Sequence, residues 1–358
     1  MSTTASPDPD DPILGRFGWD DSVRTRWMAA VATADPTRFD GQPLVAGRVV
    51  RTSRRFTYVA TVDGLVQALA PHELDPPPVA GDWVALWDGG VERGARVEAV
   101  ARRTTELARR DPAGGSDGQV LASNVDLVLA VFGLDRPVRP GRVERSLVLA
   151  HDSGAVPVVV LTKVDAVDDA DEQAAAVRAL AGDVDVILVS SVTGSGTDEL
   201  ASRLAPHRTA VLVGESGAGK STLVNRLAGR EVQRTAEVRT ADAKGRHTTV
   251  TRDLIVLDGG GVVIDTPGLR ALGLLDSAGG VAATFDDIET LSGQCRFRDC
   301  AHGDEPGCAV TAAVAAGTLD AERLVRYHGV LAELAEADQA VTEAARKPRG
   351  RPSPPPTS

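Results

Sequence analysis

The sequence predicts a multidomain chain in which a small β-barrel precedes a doubly wound α/β domain and a small, mainly α, cysteine-bearing domain. Three observations predict it. Five short Val-rich runs, punctuated by glycine, crowd the segment from Pro43 to about Arg110. From Asn124 onward, apolar strand-like runs alternate with helical ones. All three cysteines fall between Cys295 and Cys308.

The 358 residues leave room for two or three domains of usual size. Hydrophobic content of 42% suits a chain with a real core, and at 3% aromatic that core must rest on Val, Leu, Ile and Ala. The formal net charge of −11 argues against nonspecific coating of nucleic acid, while leaving room for a local basic face. Residues 1–12 are polar, Pro-rich and acidic, unlike a signal peptide, and the apolar runs are too short to span a bilayer. A cytoplasmic location without membrane attachment is therefore expected. An odd number of clustered cysteines points to metal rather than to a disulfide framework.

Residues 1–42 read as an extension, partly disordered, whose middle from Asp21 to Ala34 forms one helix with Trp27, Met28 and Val31 on one side. In residues 43–110 the strands are Val45–Val50, Tyr58–Val62, Val66–Ala68, Asp82–Trp87 and Ala95–Ala101. They fit an OB-fold barrel, and an SH3-like barrel fits almost as well. Asp111 to Ser123, rich in Gly, Ser and Asp, reads as an exposed linker.

Residues 124–283 carry strands at Asp126–Phe132, Val156–Leu161, Val184–Val189, Ala210–Val213, Leu254–Leu257 and Gly261–Ile264. Helices at Arg142–His151, Asp169–Leu180, Thr197–Leu204 and Lys220–Leu227 lie between many of them. Such alternation of buried strands with helices implies a parallel sheet. Residues 284–345 hold the cysteines and then a helix from Ala321 to Ala340, with Leu324, Tyr327, His328, Leu331 and Leu334 spaced as an apolar face. Residues 346–358, basic and Pro-rich, read as a disordered tail.

The run Gly214, Glu215, Ser216, Gly217, Ala218, Gly219, Lys220, Ser221 matches G-x-x-x-x-G-K-[ST], between a strand and a helix. Glycines let such a loop wrap so that its N–H groups face phosphate oxygens, and the helix N-terminus adds its positive dipole end. Lys220 then neutralises β- and γ-phosphate charge, and the Ser221 hydroxyl is a magnesium ligand. A chance Gly-rich turn rarely comes with both flanking elements in place.

Asp265 ends another apolar strand in Asp265-Thr266-Pro267-Gly268. An Asp there holds Mg²⁺ through water, and the Gly268 N–H can sense a γ-phosphate. Thr162-Lys163-Val164-Asp165 resembles the N/T-K-x-D element of GTPases. Its carboxylate accepts from guanine N1–H and N2–H₂, a donor pair that adenine lacks, while the lysine stem covers the base. Ser190 and Ser191, at the next strand end, loosely match the element whose backbone N–H groups reach guanine O6. All of these lie at carboxyl ends of strands, where ligands bind in open α/β sheets.

The order is unusual. Base-reading elements precede the phosphate loop, which describes a circularly permuted P-loop GTPase domain cut after the magnesium-binding strand. Joining nearby termini makes this sterically cheap. The loop between phosphate loop and Asp265 includes Lys244-Gly245-Arg246-His247-Thr248-Thr249. Thr248 or Thr249 is the expected switch threonine. Leu269 stands where many GTPases carry a water-orienting Gln, so slow unaided hydrolysis completed by a partner is expected. His247 is a candidate stand-in, and a solvated or RNA-contacting histidine is the alternative.

Cys295, Cys300, His302 and Cys308 supply three thiolates and one imidazole in a short span, a full tetrahedral set for one structural zinc ion per chain. His328 is an alternative fourth ligand. Arg48, Arg51, Arg54 and Arg55 in the barrel, and Arg234, Arg239, Lys244, Arg246 and Arg252 in the switch loop, form candidate RNA-facing clusters. A solvated charged face is the competing reading.

The permuted order, the run from Gly214 to Thr222, Gly245-Arg246-His247-Thr248-Thr249 and the segment from Cys295 to Val310 together resemble the bacterial ribosome small-subunit-dependent GTPase A family over about Pro43 to Ala340. The sequence departs from the family at Thr162, where many members have Asn, and at Ser191, where many have Ala. The resemblance implies an OB-fold, a permuted GTPase domain and a zinc domain. It also implies Mg²⁺-dependent hydrolysis of GTP to GDP, in late maturation of the small ribosomal subunit, stimulated by that subunit and its rRNA; separately, a monomer is expected. A GTP-controlled RNA- or protein-binding switch unrelated to the ribosome is the alternative of another class, and an ATPase is a third reading.

Overall fold

The computed structural model describes residues 7–8, 10–39, 42–53, 55–109, 119–205, 207–232, 253–265 and 278–346. The chain divides into two compact units, residues 1–107 with 120–271 and residues 108–119 with 272–358.

The first unit begins with helices α1 (Pro12–Gly15) and α2 (Asp21–Thr33). The Asp11 carboxylate accepts from the N–H groups of Ile13 and Leu14, and the Asp20 carboxylate from that of Val23. These caps satisfy donors that a helix start leaves unpaired. Val23, Trp27 and Ala30 form a buried stripe at i, i+4 and i+7. They pack with Leu14 and Trp19 against Trp83, Ala85 and Trp87 of the barrel. Trp27 also donates its indole N–H to the Val84 carbonyl at 2.9 Å. The expected helix is present, but Met28 faces solvent instead of sharing the Trp27 side.

The barrel strands are β1 (Val45–Thr52), β2 (Thr57–Thr61), β3 (Gly64–Leu69), β4 (Trp83–Asp88) and β5 (Ala95–Val100), with a short helix α3 (Gly90–Arg93) between the last two. They close in the order β1-β2-β3-β5-β4-β1, with β3 and β5 parallel and the rest antiparallel. Val49, Val59, Ala68, Val84, Leu86 and Val97 fill the interior. Closure leaves few open edges. Strand β6 (Glu106–Arg109) then pairs with β7 (Gln119–Ser123). The linker read over Asp111 to Ser123 is corrected at its end, because Leu121, Ala122 and Ser123 are buried in β7.

The α/β part follows as β8 (Leu127–Gly133), α4 (Pro140–Asp152), β9 (Val156–Thr162), α5 (Ala170–Ala181), β10 (Asp185–Val189), α6 (Thr197–Leu204), β11 (Thr209–Val213), α7 (Lys220–Leu227), β12 (Asp253–Val256) and β13 (Val262–Asp265). The strand order is β10-β9-β8-β11-β13-β12, parallel except for β12, which is antiparallel to β13. All seven residues of β8 are buried, the continuous apolar run of a strand covered on both faces. Helix α4 starts two residues earlier than expected, with Pro140 at its first turn, where a missing N–H costs nothing.

Barrel and sheet meet on Arg48 of β1. Its guanidinium donates to the carbonyls of Phe17, Gly81 (3.2 Å) and Asn124 (3.2 Å) and to Thr209 Oγ1 (2.8 Å), and it lies over the Trp83 ring. Burial lowers its pKa to about 10, against the opposing charges of Asp126 and Asp82, so it stays cationic at neutral pH. Arg48 is 2% exposed and thus leaves the RNA-facing cluster. Arg51 pairs with Asp253 of β12, and Arg55 lies over the Phe56 ring. Arg54 and the basic residues from Arg234 to Arg252 fall outside the described residues.

The second unit contains α8 (Ala278–Thr284), α9 (Asp286–Ser292), the cysteine segment, α10 (Ala309–Ala315) and α11 (Ala321–Arg346). Arg323 donates to both Asp287 carboxylate oxygens (2.7 and 2.9 Å) and to the Thr284 carbonyl, and Tyr327 donates to Glu289 at 3.0 Å. The buried stripe of α11 is Leu324, Tyr327 and Val330. Leu331, expected inward, falls one position past that stripe and is exposed. Among the described residues no helix is long and apolar enough to cross a membrane.

Candidate nucleotide site and metal centre

Five parallel strands end at one edge of the sheet. Their carboxyl ends deliver Gly133 from β8, Thr162 to Asp165 after β9, Ser190 and Ser191 after β10, the loop from Gly214 to Gly219 after β11, and Asp265 at the end of β13. Segments remote in sequence therefore share one edge of the sheet.

The loop after β11 is shaped by close approach. Gly214 has φ +142°, and a Cβ there would lie 2.3 Å from the Val131 carbonyl oxygen. Lys220, the first residue of α7, folds back so that Nζ donates to the carbonyls of Gly214 (2.6 Å) and Glu215 (2.5 Å). Ser221 is half-buried and Thr222 exposed on the next positions of α7. This is a strand, a glycine-bent loop and a helix start, with a cation inside the curve.

Thr162 is buried at the end of β9, and its Oγ1 donates to the Ala218 carbonyl at 2.6 Å. The T-K-x-D element and the glycine loop are thereby joined directly. Lys163 adopts φ +61°, and its Nζ pairs with Asp135 Oδ2 at 2.7 Å. Val164 and Asp165 follow in a 3₁₀ turn, with the Asp165 side chain exposed at the sheet edge. The loop after β10 is closed by its own bonds: Ser190 Oγ accepts from the Thr193 N–H, and the Ser190 carbonyl from the Gly194 N–H. Gly196, at φ +71°, closes it where a Cβ would meet the Leu188 carbonyl oxygen at 1.9 Å.

Three further charged residues near this edge belong to no motif. Asp135 and Arg136 belong to the connection between β8 and α4, and Arg142 to the first turn of α4. The hydrogen bond from Lys163 holds the Asp135 carboxyl below the usual carboxylate range, against the opposing effect of burial. Arg136 approaches the carbonyls of Ser216 and Gly217 at 3.4 Å each, and Arg142 pairs with Glu215. Arg136 and Arg142, with Phe132, Val138 and Ala218, line a cleft of about 390 Å³ beside the glycine loop. The only signal in the sequence is Asp135-Arg136-Pro137-Val138-Arg139-Pro140, three charges and two prolines after a buried strand.

His247, Thr248, Thr249 and Gly268 lie outside the described residues, as does Leu269. Asp265 is placed at the end of β13, half-buried, beside the strand that feeds the glycine loop.

In the second unit, one ligand atom each from Cys295, Cys300, His302 and Cys308 lies within 4.8 Å of the others. Cys295 Sγ is 3.8 Å from Cys308 Sγ, and His302 Nδ1 is 3.7 and 3.6 Å from these two. Tetrahedral zinc with Zn–S bonds of about 2.3 Å places its sulfurs about 3.8 Å apart, so the set fits one zinc ion. The N–H groups of Ala309 and Thr311 point at Cys295 and Cys308 Sγ (3.3 and 3.4 Å). Against the opposing effect of burial, hydrogen bonds from Thr311 and His302 hold the Cys308 thiol down, while, against the His302 N–H, burial and the neighbouring Cys308 and Cys295 push the Cys300 thiol up, so the thiols share their protons as one set. His328, the alternative ligand, instead sets its Nε2 3.0 Å from the Ala301 carbonyl oxygen.

Comparison with known proteins agrees with this geometry. The family model described as RsgA GTPase matches residues 100–275. A Streptomyces avermitilis protein named small ribosomal subunit biogenesis GTPase RsgA is 44% identical over 324 residues, covering 88% of this chain and 84% of that one. Among solved structures, YjeQ from Thermotoga maritima shares the fold with a TM-score of 0.60 at 24% identity, covering 85% of this chain and 99% of that one. YloQ, described as a circularly permuted GTPase, has a TM-score of 0.56 at 25% identity, covering 86% and 97%. The matches span most of both chains, and the chain belongs to the RsgA GTPase family of GTP-hydrolysing enzymes.

Proposed function

We propose that this protein is a Mg²⁺-dependent GTPase that acts in late maturation of the small ribosomal subunit and turns over when that subunit and its rRNA complete its site. The observation that supports the reading is the direct bond between Thr162 and Ala218, which ties the T-K-x-D element to the glycine loop, in a chain 44% identical to a small-subunit biogenesis GTPase.

In this reading the N–H groups of Gly214 to Ser221, with Thr222 behind them, cradle the phosphates. Lys220 leaves the Gly214 and Glu215 carbonyls for β- and γ-phosphate oxygens. Asp165 accepts from guanine N1–H and N2–H₂, Lys163 and Val164 flank the base, and the Ser190 and Ser191 backbone meets O6. Ser221 and Asp265 would hold magnesium, which supplies charge neutralisation between the phosphates. Thr248 or Thr249 closes over the γ-phosphate, the Gly268 N–H senses it, and His247 is the candidate for orienting water. The cysteine set holds a structural zinc that fixes the fold of its unit. The protein works in the cytoplasm as a monomer.

The test is GTP hydrolysis with purified small ribosomal subunits, with large subunits, and alone. Strong stimulation by small subunits only is expected. Binding of GTP without such stimulation favours the switch reading, and the ribosomal assignment then falls.

A further inference from the structure

We infer that Arg136 is a second cation for the nucleotide's phosphates, supplied from within the chain by the connection between β8 and α4; this rests on reading Gly214 to Ser221 as the phosphate loop. Four successive carbonyls of that loop are held by two cations. Lys220 takes those of Gly214 and Glu215, and Arg136 takes those of Ser216 and Gly217. The two side chains approach the same loop from different elements, and both donate to its neutral carbonyls.

Those contacts are of the kind an anion replaces. Both Arg136 bonds are long, at 3.4 Å, and its side chain is 44% exposed, so turning it costs little desolvation. Its carboxylate neighbour Asp135 is 3.5 Å away and is bonded more closely by Lys163, at 2.7 Å. Glu215, the acid of the loop itself, is taken by Arg142. Charge-assisted bonds from a guanidinium to phosphate oxygens are shorter and stronger than bonds to a neutral carbonyl. Pro137 restricts the backbone of Arg136 to extended conformations.

In hydrolysis, water attacks the γ-phosphorus and the bond from that phosphorus to the β–γ bridging oxygen breaks. The products are GDP and inorganic phosphate, and the water's proton passes to phosphate or solvent. Negative charge grows on the bridging and γ-oxygens, where a guanidinium is most effective. Leu269 has no group to offer at the position often held by Gln, which raises the share that Arg136 carries.

The experiment uses the full chain without ribosomal subunits, so its outcome is independent of the ribosomal assignment. Single-turnover GTP hydrolysis, GDP affinity and affinity for GDP with aluminium fluoride, a mimic of the transferring phosphoryl group, are measured for wild type, Arg136→Ala, Arg136→Lys and Lys220→Ala. Arg136→Ala should slow hydrolysis and weaken fluoroaluminate binding by about tenfold or more, with GDP affinity kept within about twofold. Arg136→Lys should recover part of both. An unchanged rate, or equal losses for GDP and its fluoroaluminate complex, overturns the inference. Lys220→Ala should abolish nucleotide binding; if it binds normally, the phosphate-loop reading itself is what fails.

Discussion

Thr162 Oγ1 donates to the Ala218 carbonyl at 2.6 Å, joining the end of β9 to the loop after β11 across 56 residues of sequence. Both groups are buried, so the bond has no water to replace it. Thr162→Val keeps the shape, deletes the donor and leaves the carbonyl unpaired, which costs roughly 1–3 kcal/mol. Urea unfolding of the variant should show that loss, with weaker GDP binding alongside. Thr162→Asn restores a donor and should recover nucleotide affinity.

Arg48 makes a prediction opposite to the one its charge suggests. Arg48→Met removes the donor to three carbonyls and a hydroxyl in the seam between barrel and sheet, and should destabilise the protein by roughly 3 kcal/mol. Arg51→Ala, at an exposed ion pair, should change stability by about 0.5 kcal/mol or less. Thermal unfolding of the two variants separates a structural arginine from a surface one.

The cysteine unit should carry one zinc ion per chain by elemental analysis. Its removal by a strong chelator should melt the helical signal of α8 to α11 while nucleotide binding by the first unit persists. Cys308→Ser should lower metal content, and His328→Ala should not, because His302 supplies the fourth ligand atom.

Much of this architecture is legible in the sequence because its signals are local. The glycine loop, the T-K-x-D element and the cysteine spacing each occupy a few consecutive residues, and the fully apolar β8 announces a strand buried on both faces. What stayed hidden depends on long-range contact. Nothing near Arg48 says that its guanidinium will be enclosed by residues as distant as Phe17 and Thr209. Spacing alone places Met28 and Leu331 inward, whereas the partner surface selects a face rotated by one residue. Val120, Leu121 and Ala122 are apolar, but they follow a Gly- and Asp-rich stretch and make too short a run to reveal β7. Arg136 lies in no motif, and only the return of α4 beside the glycine loop brings it to the site.

The measurement that bears most directly on the guanine site at this sheet edge is the nucleotide preference of Asp165→Asn. The carboxylate pairs with the N1–H and N2–H₂ donors of guanine; an amide in its place offers one acceptor and one donor, which suits the N1–H and the 2-oxo group of xanthine. Losing a charged hydrogen-bonding group of this kind costs about 1.5–3 kcal/mol, roughly ten- to a hundredfold in affinity. The variant should lose GTP by about that factor and gain XTP, with its fold unchanged. Unaltered preference for GTP over XTP and ATP would contradict the assignment of this edge as the guanine-reading site.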